Sequence, residues 1–224
     1  MSKVWVYIDG FNLYNGALVR TPHKWLDLAA LSRCLLSSTD TVEEVKFFTA
    51  QVERRPNDPD QQKRQRMYWR ALRAGGKVDI IEGQFKGRHK PLPNSSDIRQ
   101  MEADEKAGLS VTGRRVAMTE VYKCEEKGTD VNLAAHLLHD AHLRRFELAL
   151  VVSNDSDLAT AIRLVAEEVG LPVGVYSPQK TTNLRELRQV ATFYRKMDTK
   201  FLVRSQLPPT LQDAIGTISK PSGW

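Results

Sequence analysis

The chain has 224 residues, 41% hydrophobic and 27% charged, enough apolar material for one substantial core and too much for an intrinsically disordered protein. Its 33 basic and 27 acidic side chains leave a net charge of +6, which favours a polyanionic partner without identifying one. Two cysteines exclude a disulfide framework, and no leader segment or apolar run of about 18 residues is present, so a cytoplasmic protein without a membrane span is expected.

Residues 4–8 (VWVYI) form a β-branched and aromatic run cut off by Asp9-Gly10, the pattern of a buried strand. A short helical stretch over 12–19 follows. Leu28, Leu31 and Leu35 recur at helical spacing over 27–36, with Cys34 among them as an expected buried thiol. Residues 42–52 read as a second strand. Asn57-Asp58-Pro59 and Gly75-Gly76 bracket a basic helix whose Met67, Trp69 and Leu72 can face a core. Residues 77–85 return as a strand. Over 86–113 the pattern breaks into KGRHKPLPNSS and MEADEK, an irregular insertion of the kind that is functional or mobile, with room for a hidden hairpin or helix.

A strand over 116–124, ending at a second expected buried thiol, Cys124, precedes a helix over 129–143 and the strand LALVV at 148–152. A helix over 157–169, a last strand at 173–176 and a basic helix from about Thr182 complete the order. Strands alternating with helices, and apolar runs that do not themselves alternate, predict an α/β fold whose parallel sheet is covered on both faces. One domain is expected over 1–205. Residues 206–224 lose periodicity and gain proline, the pattern of a flexible tail or one that docks elsewhere.

Ligands of an open parallel sheet bind beyond the carboxyl ends of the strands. The first strand ends in Asp9, with Asn12 a turn later. The 116–124 strand leads to Asp130 at a helix start, and LALVV runs into Ser153-Asn154-Asp155-Ser156-Asp157. If these strands are neighbours, Asp9, Asp130, Asp155 and Asp157 converge. Clustered carboxylates raise one another's pKa or take up a cation, and all-oxygen donors point to Mg²⁺ or Mn²⁺. Any one of these acids alone is an ordinary cap or turn residue; capping does not explain the set. No glycine-rich phosphate loop is present, and Phe11 stands where an aspartyl phosphatase carries its second acid. His136, His139 and His142 spread over too wide an arc to suggest zinc, and read as a solvated face.

VYIDGFNLY at 6–14, KGTDVNLA at 127–134 and VVSNDSDL at 151–158 resemble, in order, the three motifs of the NYN domain family, within the PIN-like nuclease superfamily. The resemblance runs over about residues 3–205. It implies a Rossmann-like three-layer sandwich with a mainly parallel central sheet. It also implies metal-dependent cleavage of RNA, with Asp9, Asp130, Asp155 and Asp157 as the metal-holding core and Asn12, Ser153 and Asn154 as polar companions. Attack in line with the leaving 3′ oxygen would give a 5′ phosphate. Lys127, Arg54, Arg88, Arg114 and Arg185 are the candidate nucleic-acid contacts, with Tyr14 and Trp25 as candidates for stacking on bases; Trp5, Trp69 and Phe146 read as core. Single-stranded RNA is the expected substrate, preferred over duplex and over DNA. Two alternatives stay open: an RNA- or nucleotide-binding module with little catalysis, and a phosphatase or nucleotide hydrolase acting on small substrates.

Overall fold

The computed structural model describes residues 1–179 and 185–224. Its strands are β1 (Lys3–Asp9), β2 (Thr41–Thr49), β3 (Val78–Glu82), β4 (Gln84–Pro93), β5 (Met118–Lys127), β6 (Leu148–Val152), β7 (Val173–Ser177), β8 (Phe193–Lys196), β9 (Thr210–Asp213) and β10 (Gly216–Ser219). The helices are α1 (Gly10–Leu13, continued by a wider turn over Tyr14–Leu18), α2 (Leu28–Leu35), α3 (Gln61–Ala74), α4 (Ser95–Lys106) and α5 (Thr129–His142). After them come α6 (Ala159–Arg163, widening over Leu164–Val169), α7 (Arg185–Val190) and α8 (Thr199–Arg204).

Six strands make the central sheet in the order β3-β2-β1-β6-β7-β8, and every neighbouring pair is parallel. This is the doubly wound order, with its reversal between β1 and β6. Alternation along β1 feeds two cores, as a strand period of two requires: Val4, Val6 and Ile8 enter one, Tyr7 the other. The first core is closed by Leu31, Trp69 and Leu202 from α2, α3 and α8, the second by Leu137, Ile162 and Leu187 from α5, α6 and α7. The α/β, three-layer architecture expected from the sequence is the one observed.

Several local expectations are corrected. The 86–113 stretch is not irregular: it holds most of β4 and all of α4, within a compact unit over Phe85–Glu126. There β4 pairs with β5, the Asn94 amide donates to Ala117 O (2.8 Å), and the Ala117 amide donates to Asp97 Oδ2 (2.9 Å). Nor are residues 206–224 a loose tail. They form the antiparallel hairpin β9-β10, and Arg70 of α3 donates to Asp213 Oδ2 (2.6 Å) and Gly216 O (2.9 Å). Ile218 is 1% exposed, and the Trp224 ring meets Trp25 and Tyr68 edge-on. Trp25 itself is fully buried, its Nε1 donating to Pro208 O (2.8 Å), which rules out base stacking by this ring. Cys124 is exposed and Cys34 half-buried, so neither is the fully buried thiol expected. Trp5 is half-buried, whereas Trp69 and Phe146 are core. Thr182, where a basic helix was expected to begin, lies outside the described residues. No helix among the described residues is long and apolar enough to cross a membrane.

Candidate active site

β1 and β6 lie side by side, with Ile8 level with Val152, so Asp9 and Ser153 emerge together at the switch point. The Asp-Gly step is dictated by packing. A Cβ at Gly10 would sit 2.8 Å from both Phe47 Cε2 and Phe48 O, so a side chain would push α1 off the sheet. Asp9 caps α1: its Oδ1 accepts from the Asn12 amide (2.9 Å), and its Oδ2 accepts from Asn12 Nδ2 and from Ser153 Oγ (2.9 Å). The Ser153 hydroxyl oxygen accepts in turn from the Asp155 amide (3.0 Å), and Asp155 Oδ1 from the Asp157 amide (3.0 Å). A continuous hydrogen-bonded chain thus runs from Asp9 through Ser153 to Asp155 and Asp157.

Asp9 is 2% exposed, and burial holds its carboxyl above the usual range. Hydrogen bonds from Asn12 and Ser153 pull it back, and the nearby charge of Asp155 adds to the rise. A group so placed favours a bound proton or a cation. Asn154 Oδ1 is buried without a hydrogen-bond partner among the described residues, a second oxygen awaiting one.

Asp130 arrives on α5. Gly128, with φ +100°, turns the chain into this helix. α5 runs antiparallel to the strands: Asp140 accepts from Tyr7 Oη (2.9 Å), and His136 meets Phe48, the register partner of Asp9, at 5.6 Å between rings. Six residues earlier, at 1.5 Å per residue, Asp130 lies about 9 Å further along the axis, beyond the carboxyl edge of the sheet. It continues the stripe of Leu133, Leu137 and Asp140, so it belongs to the sheet-facing side of α5. Asp157 is exposed in the turn Ser156–Leu158.

Among the described residues, no three His, Cys, Asp or Glu side chains stand together as a metal cage. Asp9 and Asp155 are tied through Ser153, with Asp130 and Asp157 at helix starts around them. The donor chemistry still fits a hard divalent cation, because Mg²⁺ keeps several waters and takes one or two carboxylates plus substrate phosphate rather than a closed protein cage. The Asp9 carboxylate, that of Asp155 two residues beyond Ser153, and the unpartnered Asn154 oxygen supply such a set. The candidate nucleic-acid contacts Arg54, Arg88, Arg114, Lys127 and Arg185 are all exposed, and Arg114 is paired with Asp104. Arg88 and Arg114 belong to the Phe85–Glu126 unit, the other three to the main one. Tyr14 is exposed.

A family model described as NYN domain matches residues 3–198. The chain belongs to the NYN domain family. NYN domains fall in a PIN-like nuclease class, so hydrolase chemistry on nucleic acid is the family's expectation. A curated relative, 6-hydroxy-3-succinoylpyridine 3-monooxygenase HspA of Pseudomonas putida (strain DSM 28022 / S16), is 31% identical over 241 residues, covering 98% of this chain and 74% of its own. A crystal structure of a protein of unknown function from Vibrio parahaemolyticus RIMD 2210633 matches with a TM-score of 0.51 at 17% identity, over 92% of this NYN chain and 96% of that one. The last likeness is one of fold.

Sequence reasoning missed two features. One is a buried cluster of Tyr7, Lys46, His136, Asp140 and Arg145 beneath α5. The other is an aromatic cavity beside α1, lined by Tyr68 and Trp69 among others. The cluster joins Tyr7 to Asp140, 133 positions away, which leaves no local signature. Trp69 carried only the helical spacing of a core residue.

Proposed function

We propose that this NYN protein hydrolyses phosphodiester bonds of RNA, preferably single-stranded, with Mg²⁺ or Mn²⁺ held at the Asp9 site. The observation that carries this reading is the buried Asp9 carboxylate bridged to Asp155 through Ser153 at the sheet's switch point. Asp9, Asp155 and Asn154 Oδ1 would hold the cation, and Asn12 and Ser153 fix the Asp9 carboxylate by hydrogen bonding. When bound, the cation supplies charge neutralisation on the scissile phosphate and a lowered pKa for water. Asp130, on the sheet-facing side of α5, orients the attacking water and takes its proton, and Asp157 acts through water. Lys127 and the exposed arginines 54, 88 and 185 meet backbone phosphates.

A second reading, oxygenation of a small hydroxylated pyridine, is favoured by the monooxygenase name of the 31% identical relative and by the aromatic cavity. One experiment separates them. Metal-stripped protein, given Mg²⁺ or Mn²⁺, is incubated with end-labelled single-stranded RNA, duplex RNA, DNA and mononucleotides, beside Asp9→Asn and Asp155→Asn. A parallel arm supplies 6-hydroxy-3-succinoylpyridine with dioxygen and NADH. Metal-dependent RNA cleavage abolished in both variants supports hydrolysis. Equal cleavage by the variants points to a contaminant and refutes it, and product in the pyridine arm alone moves the assignment to the oxygenase. Tight RNA binding without turnover would leave a binding module.

A further inference from the structure

α1 has the acidic site on one side and, on the other, a cavity of about 170 Å³. The walls are aromatic: Phe11 from α1, Phe47 from β2, Tyr68 and Trp69 from α3, and Trp224. An engineered cavity of about 150 Å³ holds one benzene, so this volume suits a single six-membered ring better than a fused pair. Flat aromatic walls favour a planar guest that can stack or meet them edge-on.

The lining is not wholly apolar. Gln61, at the start of α3, presents a buried Oε1 with no hydrogen-bond partner among the described residues. A buried acceptor without a donor is costly, and a ring N–H would satisfy it. Gln65, four residues on, is not available for that role, since its amide is spent on Val52 N and Ala50 O. Two cations line the cavity. Arg64 is neutralised by a paired contact with Asp58 (Oδ1 at 2.6 Å), whereas Lys24 is half-buried and makes no ion pair among the described residues. Lys24, a lining cation with no ion pair among the described residues, favours a guest with an anionic arm.

We infer that this cavity binds a single-ring nitrogen heteroaromatic bearing an anionic arm, with the ring between Tyr68, Trp69 and Phe47, its N–H on Gln61 and its anion on Lys24. Two sources share that chemistry: a uridine nucleotide, free or within a strand, and a free hydroxypyridine carboxylic acid in its N–H pyridone form. The cavity reading goes beyond the proposed hydrolysis and does not depend on it.

Isothermal titration calorimetry of the whole chain tests it, with UMP, 6-hydroxynicotinate, neutral uracil, and AMP as the two-ring control. Saturable binding of UMP, 6-hydroxynicotinate or both, with AMP at least about tenfold weaker, is expected. Lys24→Gln should weaken the anionic probes about tenfold and leave uracil within about twofold, while Gln61→Leu weakens all single-ring probes. Binding of UMP alone assigns the nucleotide source, and of the pyridine alone the free acid. No saturable binding of either probe at millimolar concentration, AMP equal to UMP, or binding unmoved by both substitutions overturns the inference. Asp9→Asn should bind as wild type does. Because no turnover is read, failure here leaves the hydrolytic reading standing, and a failed cleavage assay leaves this one standing.

Discussion

Asp140 is the residue whose replacement should be felt most outside the acidic site. It is fully buried on α5 and accepts from Tyr7 Oη at 2.9 Å, Lys46 Nζ at 2.5 Å and Arg145 at 2.8 Å. Asp140→Asn keeps the shape and one acceptor but removes the charge. Arg145, with a side chain 43% exposed, can turn to water; Lys46, at 8%, cannot. The variant therefore leaves a buried ammonium facing a neutral amide, its other polar neighbour being His136 Nδ1 at 3.2 Å. Breaking a buried pair from one side costs about 3–5 kcal/mol, and in a chain of this length each kcal/mol moves Tm by about 2–4 °C. The expected loss is about 6–20 °C. Replacing both partners, Lys46→Met with Asp140→Leu, should recover the part due to the stranded charge while leaving the buried Tyr7 hydroxyl without its acceptor. Urea denaturation and differential scanning fluorimetry of wild type, Asp140→Asn, Lys46→Met, Asp140→Leu and the double variant measure the loss and the cycle. A loss under about 1 kcal/mol for Asp140→Asn, or a double variant as unstable as the sum of the singles, would refute the reasoning.

Four further outcomes are expected. Because burial holds the Asp9 carboxyl above its ordinary 3.8, the folded state binds that proton more tightly than the unfolded one. Its stabilising effect is thus full below pH 3.8 and is lost as pH rises through the folded pKa. At neutral pH the charge costs stability, so Asp9→Asn should raise Tm at pH 7 and the gain should vanish on acidification; a lower Tm at pH 7 would contradict this. Saturating Mn²⁺, at a hundred times its Kd, should stabilise wild type by about 2.7 kcal/mol and Asp9→Asn far less; equal shifts would remove Asp9 from the cation site. Ile218→Ala should cost about 2–5 kcal/mol by denaturation, whereas a tail without a docked core would show under about 0.5. Gly174→Ala places a Cβ 2.0 Å from the Phe193 ring in the register-paired strand and should cost about 1–3 kcal/mol, relieved by Phe193→Leu.

The readable parts of this fold are those where one strong local signal suffices. VWVYI and LALVV are buried on both faces, so they show no alternation, and Asp9-Gly10 and Ser153-Asn154-Asp155 mark their ends because packing at Gly10 and capping at Asp9 and Asp155 demand those residue types. The unread parts depend on partners distant in the chain. β8 is four residues of mixed polarity, recognisable only through its pairing with β7. The β9-β10 hairpin is held to α3 by Arg70, 143 residues away from Asp213, and its proline-rich lead-in resembles a tail when read alone. α4 buries no side chain, so its sequence carries no core stripe to betray a helix. Trp25 was readable as aromatic but not as buried, since its cover comes from Trp224 and Pro208.

Both proposed sites trace to one strand and the turn after it. Along β1 the side chains alternate, with Tyr7 entering the α5 side and Val6 and Ile8 the α3 side. Asp9 falls in phase with Tyr7, and its neighbour Gly10 lines the aromatic cavity on the opposite side. Asn12 then returns its side chain to Asp9, while Phe11 and Leu13, in the same turn of α1, face the cavity. A substitution that slid β1 by one residue would exchange the two faces and abolish both sites together. Their chemistries nonetheless remain separable. Carboxylates served by Ser153 and Asp155 need no contact with the cavity, and the cavity needs no charge from Asp9. A scaffold arranged in this way can keep its acids and change its guest, or keep its guest and lose its acids. Shared fold alone therefore cannot choose between cleaving a strand and transforming a ring. The choice rests on whether Asp9 is required for turnover while Lys24 and Gln61 are required only for binding. Hydrolysis of a strand seated by its base requires both sets, and the Asp9 variant then binds without cleaving.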